Sequence, residues 1–252
     1  MADKNKFPSE IIDLPSGGKI YGKDSPLFGG QLEIKYMTAK EEDILTSQNL
    51  IKKGTVIDTL LNSLIVTKGV TTDDLIIGDK NAIMVAARIL AYGPEYTVNV
   101  TLPDLDDIIE HTFDLSECAF KELSNRYDYS SNSFDFKLPT SGNKIKFKIL
   151  TGKEEKEIET ELKSISKINL QISPELTTRL KYSIIEVDGE SDKLTISNFV
   201  DNMLSRDSYS FRQEIAAVSP DINLSQIIEV EGQSVTVGIP VTVQFFWPDA
   251  GA

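Results

Sequence analysis

The stretch EIKYMTAKEEDIL at residues 33–45 combines a strand with a helix start. Apolar side chains alternate from Leu32 to Tyr36, which is typical of a half-buried strand. Thr38 and Glu41 then stand at the spacing of a capping box, in which each side chain satisfies a backbone amide of the other residue. The acidic pair that follows Lys40 also favours the positive end of a helix dipole. The stretch therefore predicts a strand-to-helix corner.

The same sequence pattern recurs at residues 146–158, as KFKILTGKEEKEI, with Thr151 and Glu154 in the matching positions. The similarity continues upstream, where LPSGGKI at 14–20 matches LPTSGNKI at 138–145. A Leu-Pro followed by Ser and Gly is typical of a strand that enters a turn. The repetition of this order predicts two related units in one chain.

Two further pairs of segments follow in the same order. TLLNSLIVTKG at 59–69 matches TRLKYSIIEVDG at 178–189, and both predict a helix that ends near a glycine. Next, Asp79 and Asp207 each precede apolar residues at helical spacing, so we expect both to be N-caps of helices. Each half is then predicted to end in a β-pair, EYTVNVTLP…EHTFDL in the first and IIEVEGQSVTVGIPVTVQFFW in the second. Five matched segments in one order favour duplication over a chance likeness of generic strand-helix units.

The predicted fold is α+β, with two tandem pseudo-repeated α/β halves that each contain hairpin strands and about three helices. The first repeat is predicted at residues 1–128 and the second at 129–252. A polar Ser- and Asn-rich stretch at 125–135 is the predicted hinge between them.

Composition narrows the classes of partner. The 252 residues include 39 acidic and 26 basic side chains, for a net charge of −13. Such a surface repels nucleic acid phosphates and anionic lipid, so neither is an expected partner. No apolar run approaches the roughly 20 residues that a membrane-spanning helix needs, and the sequence is that expected of a soluble protein made inside a cell. With Cys118 as its one cysteine, the chain cannot form an intramolecular disulfide.

Side chains that support catalysis or metal binding are few. His111 is the one histidine, and a pairing with Cys118 has no motif to support it. An acidic cluster could bind a hard cation weakly, but it lacks the glycine turn and the spacing of a calcium loop, and a solvated hairpin tip is the plainer interpretation: Asp104, Asp106, Asp107 and Glu110. No phosphate-binding loop is present. The sequence predicts no catalytic residue, no metal site, no cofactor and no small-molecule substrate.

The segment VTVQFFWPDAGA places Phe245, Phe246 and Trp247 in a row. On a strand, Phe245 and Trp247 would face one side and Phe246 the other. Aromatic residues on both faces indicate either burial within this chain or contact with a partner protein. We expect this segment to help dock a neighbouring protein, with intrachain burial as the competing interpretation.

Several longer stretches resemble T4-type phage baseplate hub and hub-assembly proteins: FPSEIIDLPSGGKIY, LEIKYMTAKEEDILTSQNLIKKGTVIDTLLNSLIV, DLIIGDKNAIMVAARILAYGPEYTV and FFWP. The resemblance covers nearly the whole chain and is strongest over residues 7–100. It implies a non-enzymatic myovirus tail protein in the central hub of the baseplate, with other hub proteins and the tape-measure protein as partners. It implies a location in the virion tail baseplate, or in the host bacterial cytoplasm during assembly.

The resemblance leaves three roles open. The chain is a structural hub component, or a transient chaperone for a hub or tape-measure protein, or, remotely, a small hydrolase or regulator that uses His111 or the acidic cluster. In one respect it departs from its apparent relatives, some of which place a Cys-Pro-x-Cys knuckle where this chain has Leu102-Pro103-Asp104-Leu105. If such relatives bind zinc there, we expect this chain to bind none.

Overall fold

A computed structural model of the chain describes residues 7–101, 108–167, 173–230 and 232–246. Within these ranges the protein is a mixed α+β fold with eight α-helices and several small antiparallel sheets. Up to residue 128 the elements are, in order, β1 (Ser9–Asp13), β2 (Gln31–Lys35), α1 (Ala39–Leu45), α2 (Gln48–Lys53), α3 (Val56–Leu64), α4 (Ile77–Tyr92), β3 (Glu95–Thr101), β4 (Ile108–Asp114) and a 3-10 helix (Leu115–Glu117).

The remaining elements follow a similar order. They are β5 (Phe134–Lys137), β6 (Lys144–Phe147), α5 (Gly152–Ser166), α6 (Glu175–Ser183), β7 (Ile184–Val187), α7 (Lys193–Asp201), α8 (Ser205–Val218), β8 (Ser225–Val230), β9 (Gln233–Gly238) and a 3-10 helix (Val243–Phe246). Among the described residues, each predicted repeat thus contains four helices rather than about three.

The sheets are small and antiparallel. β1–β2, β3–β4 and β8–β9 each form a two-stranded sheet, and β7 joins the β5–β6 hairpin to make a three-stranded one. In the described ranges, every helix is too short or too polar to span a bilayer.

The helices predicted to end near Gly69 and Gly189 stop earlier. α3 ends at Leu64 and α6 at Ser183, because the chain then leaves the helix to pair with a strand. Ile65 bridges Ile34 of β2, and β7 pairs with β6. Cross-strand pairing to a buried strand overrides the helical pattern at both places.

One continuous cluster of buried apolar residues includes members from both predicted halves, from Leu14 to Phe246. The predicted hinge contributes to it, since Tyr129 is buried and its hydroxyl donates to the carbonyl of Val218 at 3.1 Å. The internal duplication and the division at residue 128 remain predictions, which a superposition of the two halves would decide.

Backbone contacts join the two predicted halves at a seam. Ile76 bridges Thr151, and the amide of Gly152 donates to the carbonyl of Leu75 at 2.8 Å. Phe120 bridges Ile222 farther along the seam. Because these contacts link segments far apart in sequence, they fix the start of α5 against the loop before α4.

Two glycines allow the closest approaches at this seam. A Cβ on Gly78 of α4 would lie 1.9 Å from the carbonyl oxygen of Pro220, and a Cβ on Gly152 of α5 would lie 2.1 Å from that of Thr72. Real Cβ atoms do not approach backbone this closely, so any larger residue would push the halves apart. Lys156 adds an ion pair across the seam to Asp73.

Candidate functional site

The C-terminal aromatic residues lie inside the protein. Phe245 and Phe246 have no exposed surface, and they stand on a 3-10 helix rather than on the predicted strand. Phe245 packs edge-to-face against Tyr96 of β3, with 5.0 Å between ring centroids. The prediction that Phe245 and Phe246 form a docking surface is therefore wrong, because burying two aromatic rings in the chain's own core is strongly favourable. Trp247 lies outside the described residues.

Asp79 is not an N-cap. α4 begins at Ile77 with Ile76 as its N-cap, so Asp79 lies in the first turn, fully buried. Its carboxylate accepts hydrogen bonds from the amide and hydroxyl of Ser16, at 2.9 and 2.7 Å, and from the hydroxyl of Tyr21, at 2.5 Å. The carboxylate thus holds the LPSGG turn and the following loop against α4.

Burial raises the pKa of Asp79, and the hydrogen bonds from Tyr21 and Ser16 offset only part of that effect. Burial beside this carboxylate also raises the pKa of Tyr21 far above its usual range. The Tyr21 hydroxyl accepts from the amide of Ile76 at 3.2 Å, so it satisfies a free amide at the helix start. Sequence reasoning missed Ser16 and Tyr21 because they are more than fifty residues from Asp79.

Asp207 is not an N-cap either. α8 begins at Ser205 with Leu204 as its N-cap, and Asp207 lies in its first turn. The Asp207 carboxylate accepts from the amides of Thr140 and Ser141 at 2.7 and 2.9 Å. Burial acts to raise the pKa of Asp207, but these hydrogen bonds outweigh it and the pKa lies below its usual range.

The two strand-to-helix corners have the same contacts. Thr38 and Thr151 are the N-caps of α1 and α5, in capping boxes with Glu41 and Glu154. The Glu41 carboxylate accepts from the Thr38 amide at 3.0 Å, and that of Glu154 accepts from the Thr151 amide at 2.8 Å. A lysine three residues before each threonine also pairs with the glutamate, at 2.7 Å for Lys35 and 2.5 Å for Lys148.

The residues considered for catalysis or metal binding do not form a site in the part of the chain that the structure describes. His111 lies on β4 opposite Val98, and its ring packs edge-to-face against Phe113 at 4.7 Å. Cys118 follows the 3-10 helix after β4, and burial raises the pKa of its thiol. Glu110 is exposed on β4, whereas Asp104, Asp106 and Asp107 and the Leu102–Leu105 stretch lie outside the described residues. Among described residues, no group of three or more His, Cys, Asp or Glu side chains is placed to hold a metal ion.

Exposed isoleucines stand on each of the three two-stranded sheets. Ile11 of β1 and Ile108 of β4 are 66% exposed, and Ile227 of β8 is 71% exposed. A two-stranded hairpin is marginally stable by itself and presents unpaired edges, and here each also presents a large apolar side chain to solvent. Such surfaces suit contact with other proteins.

Comparison with known protein families identifies the family of the chain. The family model described as T4 bacteriophage base plate protein matches residues 8–247. No curated protein and no solved structure gives a significant match to the chain. The resemblance inferred from the sequence motifs is confirmed at the level of the family. The chain therefore belongs to the T4 bacteriophage base plate protein family.

Proposed function

We propose that this protein is a non-enzymatic component of the central hub of a phage tail baseplate and that it acts through protein–protein contacts. The family match over residues 8–247 carries the proposal, since it assigns the chain to baseplate proteins along nearly its whole length. The motif resemblance to hub and hub-assembly proteins supports the finer assignment to the hub.

The structure supplies surfaces that suit this role. Ile11, Ile108 and Ile227 stand exposed on separate two-stranded hairpins, and the strand edges beside them offer backbone groups for pairing with another chain. The proposed partners are other hub proteins and the tape-measure protein. The proposed location is the virion tail baseplate, with assembly in the host bacterial cytoplasm.

Quantitative mass spectrometry of purified virions tests the structural role. A structural component should be present at a fixed ratio to other baseplate proteins in every preparation. A transient chaperone should be absent from virions while it co-purifies with hub or tape-measure protein from infected cells. Failure to co-purify with any tail protein, in virions or in cells, would contradict both roles.

Variants in the hairpins test whether the exposed isoleucines contact neighbouring baseplate proteins. Ile108→Lys and Ile227→Lys should leave the melting temperature nearly unchanged, because both side chains are largely in solvent. Each should reduce recovery of the protein in virions if its hairpin contacts a neighbour. Leu194→Lys is a matched control, since Leu194 is 69% exposed on a helix instead of a hairpin.

A further inference from the structure

The exposed side of α8 is basic in an otherwise acidic protein. Arg206, Tyr209 and Arg212 stand along this side and are exposed, and they are called the α8 face below. The carboxylates of the helix point inward: Asp207 is held by backbone amides, and Glu214 is buried and pairs with Arg126 at 3.4 Å. The α8 face therefore has positive charge with no carboxylate of its own helix beside it.

The other arginines of the chain all have partners. Arg88 donates to the carbonyls of Gly93 and Glu95 at 3.1 and 3.2 Å. Arg126 pairs with Glu214, and Arg179 pairs with Glu155 at 2.6 Å and Glu175 at 3.2 Å.

Arg206 and Arg212, by contrast, form no ion pair or hydrogen bond with any residue in the described ranges. The guanidinium of Arg212 only lies over the ring of Tyr209, at 5.8 Å from its centroid. A guanidinium fork is well suited to grip a carboxylate through two hydrogen bonds. Both arginines are free to do so.

An apolar groove of about 310 Å³ borders the α8 face, between the start of α4, α6 and α8. Its walls include Ile77, Leu150, Leu176 and Ile215, and Arg212 stands on its rim. This is called the α8 groove below. Leu176 is 44% exposed, so apolar surface remains open to solvent there.

The carboxylates on the rim of the α8 groove are already engaged. Glu155 accepts two hydrogen bonds from Arg179, at 2.6 and 2.8 Å. Asp221 accepts from the side-chain amide of Asn81 at 3.1 Å. Because that amide is neutral, Asp221 keeps its negative charge, and no ion pair among the described residues neutralises either Asp221 or Arg212.

We propose that the α8 groove and the α8 face together bind an acidic segment of another baseplate protein. Large apolar side chains of that segment fill the groove beside Leu176, and its carboxylates pair with Arg212 and Arg206. An acidic partner complements this surface, since the two free guanidinium groups of Arg206 and Arg212 outnumber the single carboxylate, Asp221, that no ion pair neutralises among the described residues. Arginine and tyrosine beside an apolar groove are the composition of sites that dominate interface energy. The inference rests on the proposed function, because it takes the partner to be a baseplate protein.

Site-specific crosslinking identifies the occupant. A photo-crosslinking amino acid is placed at Leu176 in the full chain, which is supplied to host cells infected with phage lacking the gene. The control carries the same group at Ile51 of α2, which is 38% exposed. We expect crosslinks from position 176, and not from position 51, to an acidic segment of another baseplate protein that contains large apolar residues. Crosslinks to a second copy of this chain, to a neutral or basic segment, or to nucleic acid would overturn the proposal, as would equal crosslinking at both positions.

Charge reversal then tests the arginines, with a synthetic peptide of the crosslinked segment as the probe. The double variant Arg206→Glu and Arg212→Glu should weaken binding by about tenfold or more, and the wild-type affinity should fall as salt is raised. The matched control is Lys52→Glu and Lys53→Glu, which changes the net charge equally on an exposed part of α2 and should leave binding within about twofold. Melting temperatures establish that all variants fold.

The outcomes separate this inference from the proposed function. If the reversed-charge chain folds, still enters virions and binds the peptide normally, the α8 proposal is wrong while the baseplate role stands. If the wild-type chain crosslinks to no baseplate protein and does not co-purify with one, both are wrong.

Discussion

Asp79 and Asp207 hold matched positions in the sequence, yet they sit in opposite electrostatic conditions. Each lies in the first turn of a long helix and binds the turn that follows a Leu-Pro pair. Ser16, the partner of Asp79, is fully buried, whereas Thr140 and Ser141, the partners of Asp207, are exposed. The pKa of Asp79 is therefore raised by burial, while at Asp207 hydrogen bonds outweigh burial and lower the pKa. Both aspartates are fully buried, but Asp79 binds a buried turn residue whereas Asp207 binds two exposed ones.

The largest effect should come from deleting the buried carboxylate. Asp79→Ala leaves the amide and hydroxyl of Ser16 and the hydroxyl of Tyr21 without their acceptor, and each orphaned buried group costs about 1–3 kcal/mol. We expect a loss of about 3 kcal/mol or more in the free energy of unfolding. Asp207→Ala should lose about 1–2 kcal/mol, because Thr140 and Ser141 belong to an exposed turn that can be rehydrated after the carboxylate is removed. Denaturant unfolding measures both, and equal losses would contradict the contrast.

A second comparison concerns the residue after each capping threonine. Ala39 is exposed, but Gly152 is buried against the backbone of Thr72. Gly152→Ala should lower the free energy of unfolding by about 2 kcal/mol, since overpacking against a carbonyl typically costs 1–3 kcal/mol. The reverse change at the matched position, Ala39→Gly, should cost at most about 1 kcal/mol from helix propensity. Thermal unfolding of the two variants tests this contrast. If Gly152→Ala leaves stability unchanged, the backbone at the seam relaxes to accommodate the added methyl group.

The two capping boxes should contribute nearly equal amounts to the free energy of unfolding. Thr38→Ala and Thr151→Ala each remove an N-cap side chain, which typically costs about 1 kcal/mol. Because the threonine, glutamate and lysine contacts recur at both corners, we expect losses that agree within about 0.5 kcal/mol. Urea unfolding curves provide the test. A much larger loss at Thr151 would mean that its place at the seam, rather than the local box, sets its contribution.

The smallest effect in the wild-type chain should be its pH dependence from the two aspartates, which act on opposite sides of the usual aspartate pKa of about 3.9. For Asp79, whose pKa is raised in the folded state, stability falls as pH rises from the usual aspartate pKa of about 3.9 through the folded value. For Asp207, whose pKa is lowered, stability is lost as pH falls from about 3.9 through the folded value.

Single variants separate the two contributions. Asp79→Asn should gain stability relative to wild type as pH rises above about 4, whereas the deficit of Asp207→Asn should shrink as pH falls below about 4. Unfolding free energies measured across the acidic range report the slopes. Parallel curves for the two variants would contradict the opposite pKa shifts.

Sequence reasoning found the two strand-to-helix corners but misjudged which side chains are buried and which are exposed. The aromatic run was predicted to be a docking strand, although Phe245 and Phe246 fill the core. The α8 face was not predicted, although Arg206, Tyr209 and Arg212 recur every third residue in a helix whose acidic side chains are interspersed. A sequence does not reveal which of these charges turns inward, because that depends on which face of α8 meets the core.

The sequence by itself determined the two capped helix starts and their strands, the mixed α+β class and the likeness to baseplate proteins. These depend on residues within a few positions of each other, or on motifs read directly from the chain, so no distant contact is needed to specify them. Only the tertiary structure decided that Asp79 links Ser16 and Tyr21 instead of capping α4, and that Gly152 must be glycine. It also decided that Arg212 lacks an ion-pair partner among the residues that the structure describes, while Arg179 has two. Burial and pairing depend on neighbours brought together by folding, and those neighbours are far apart in the sequence.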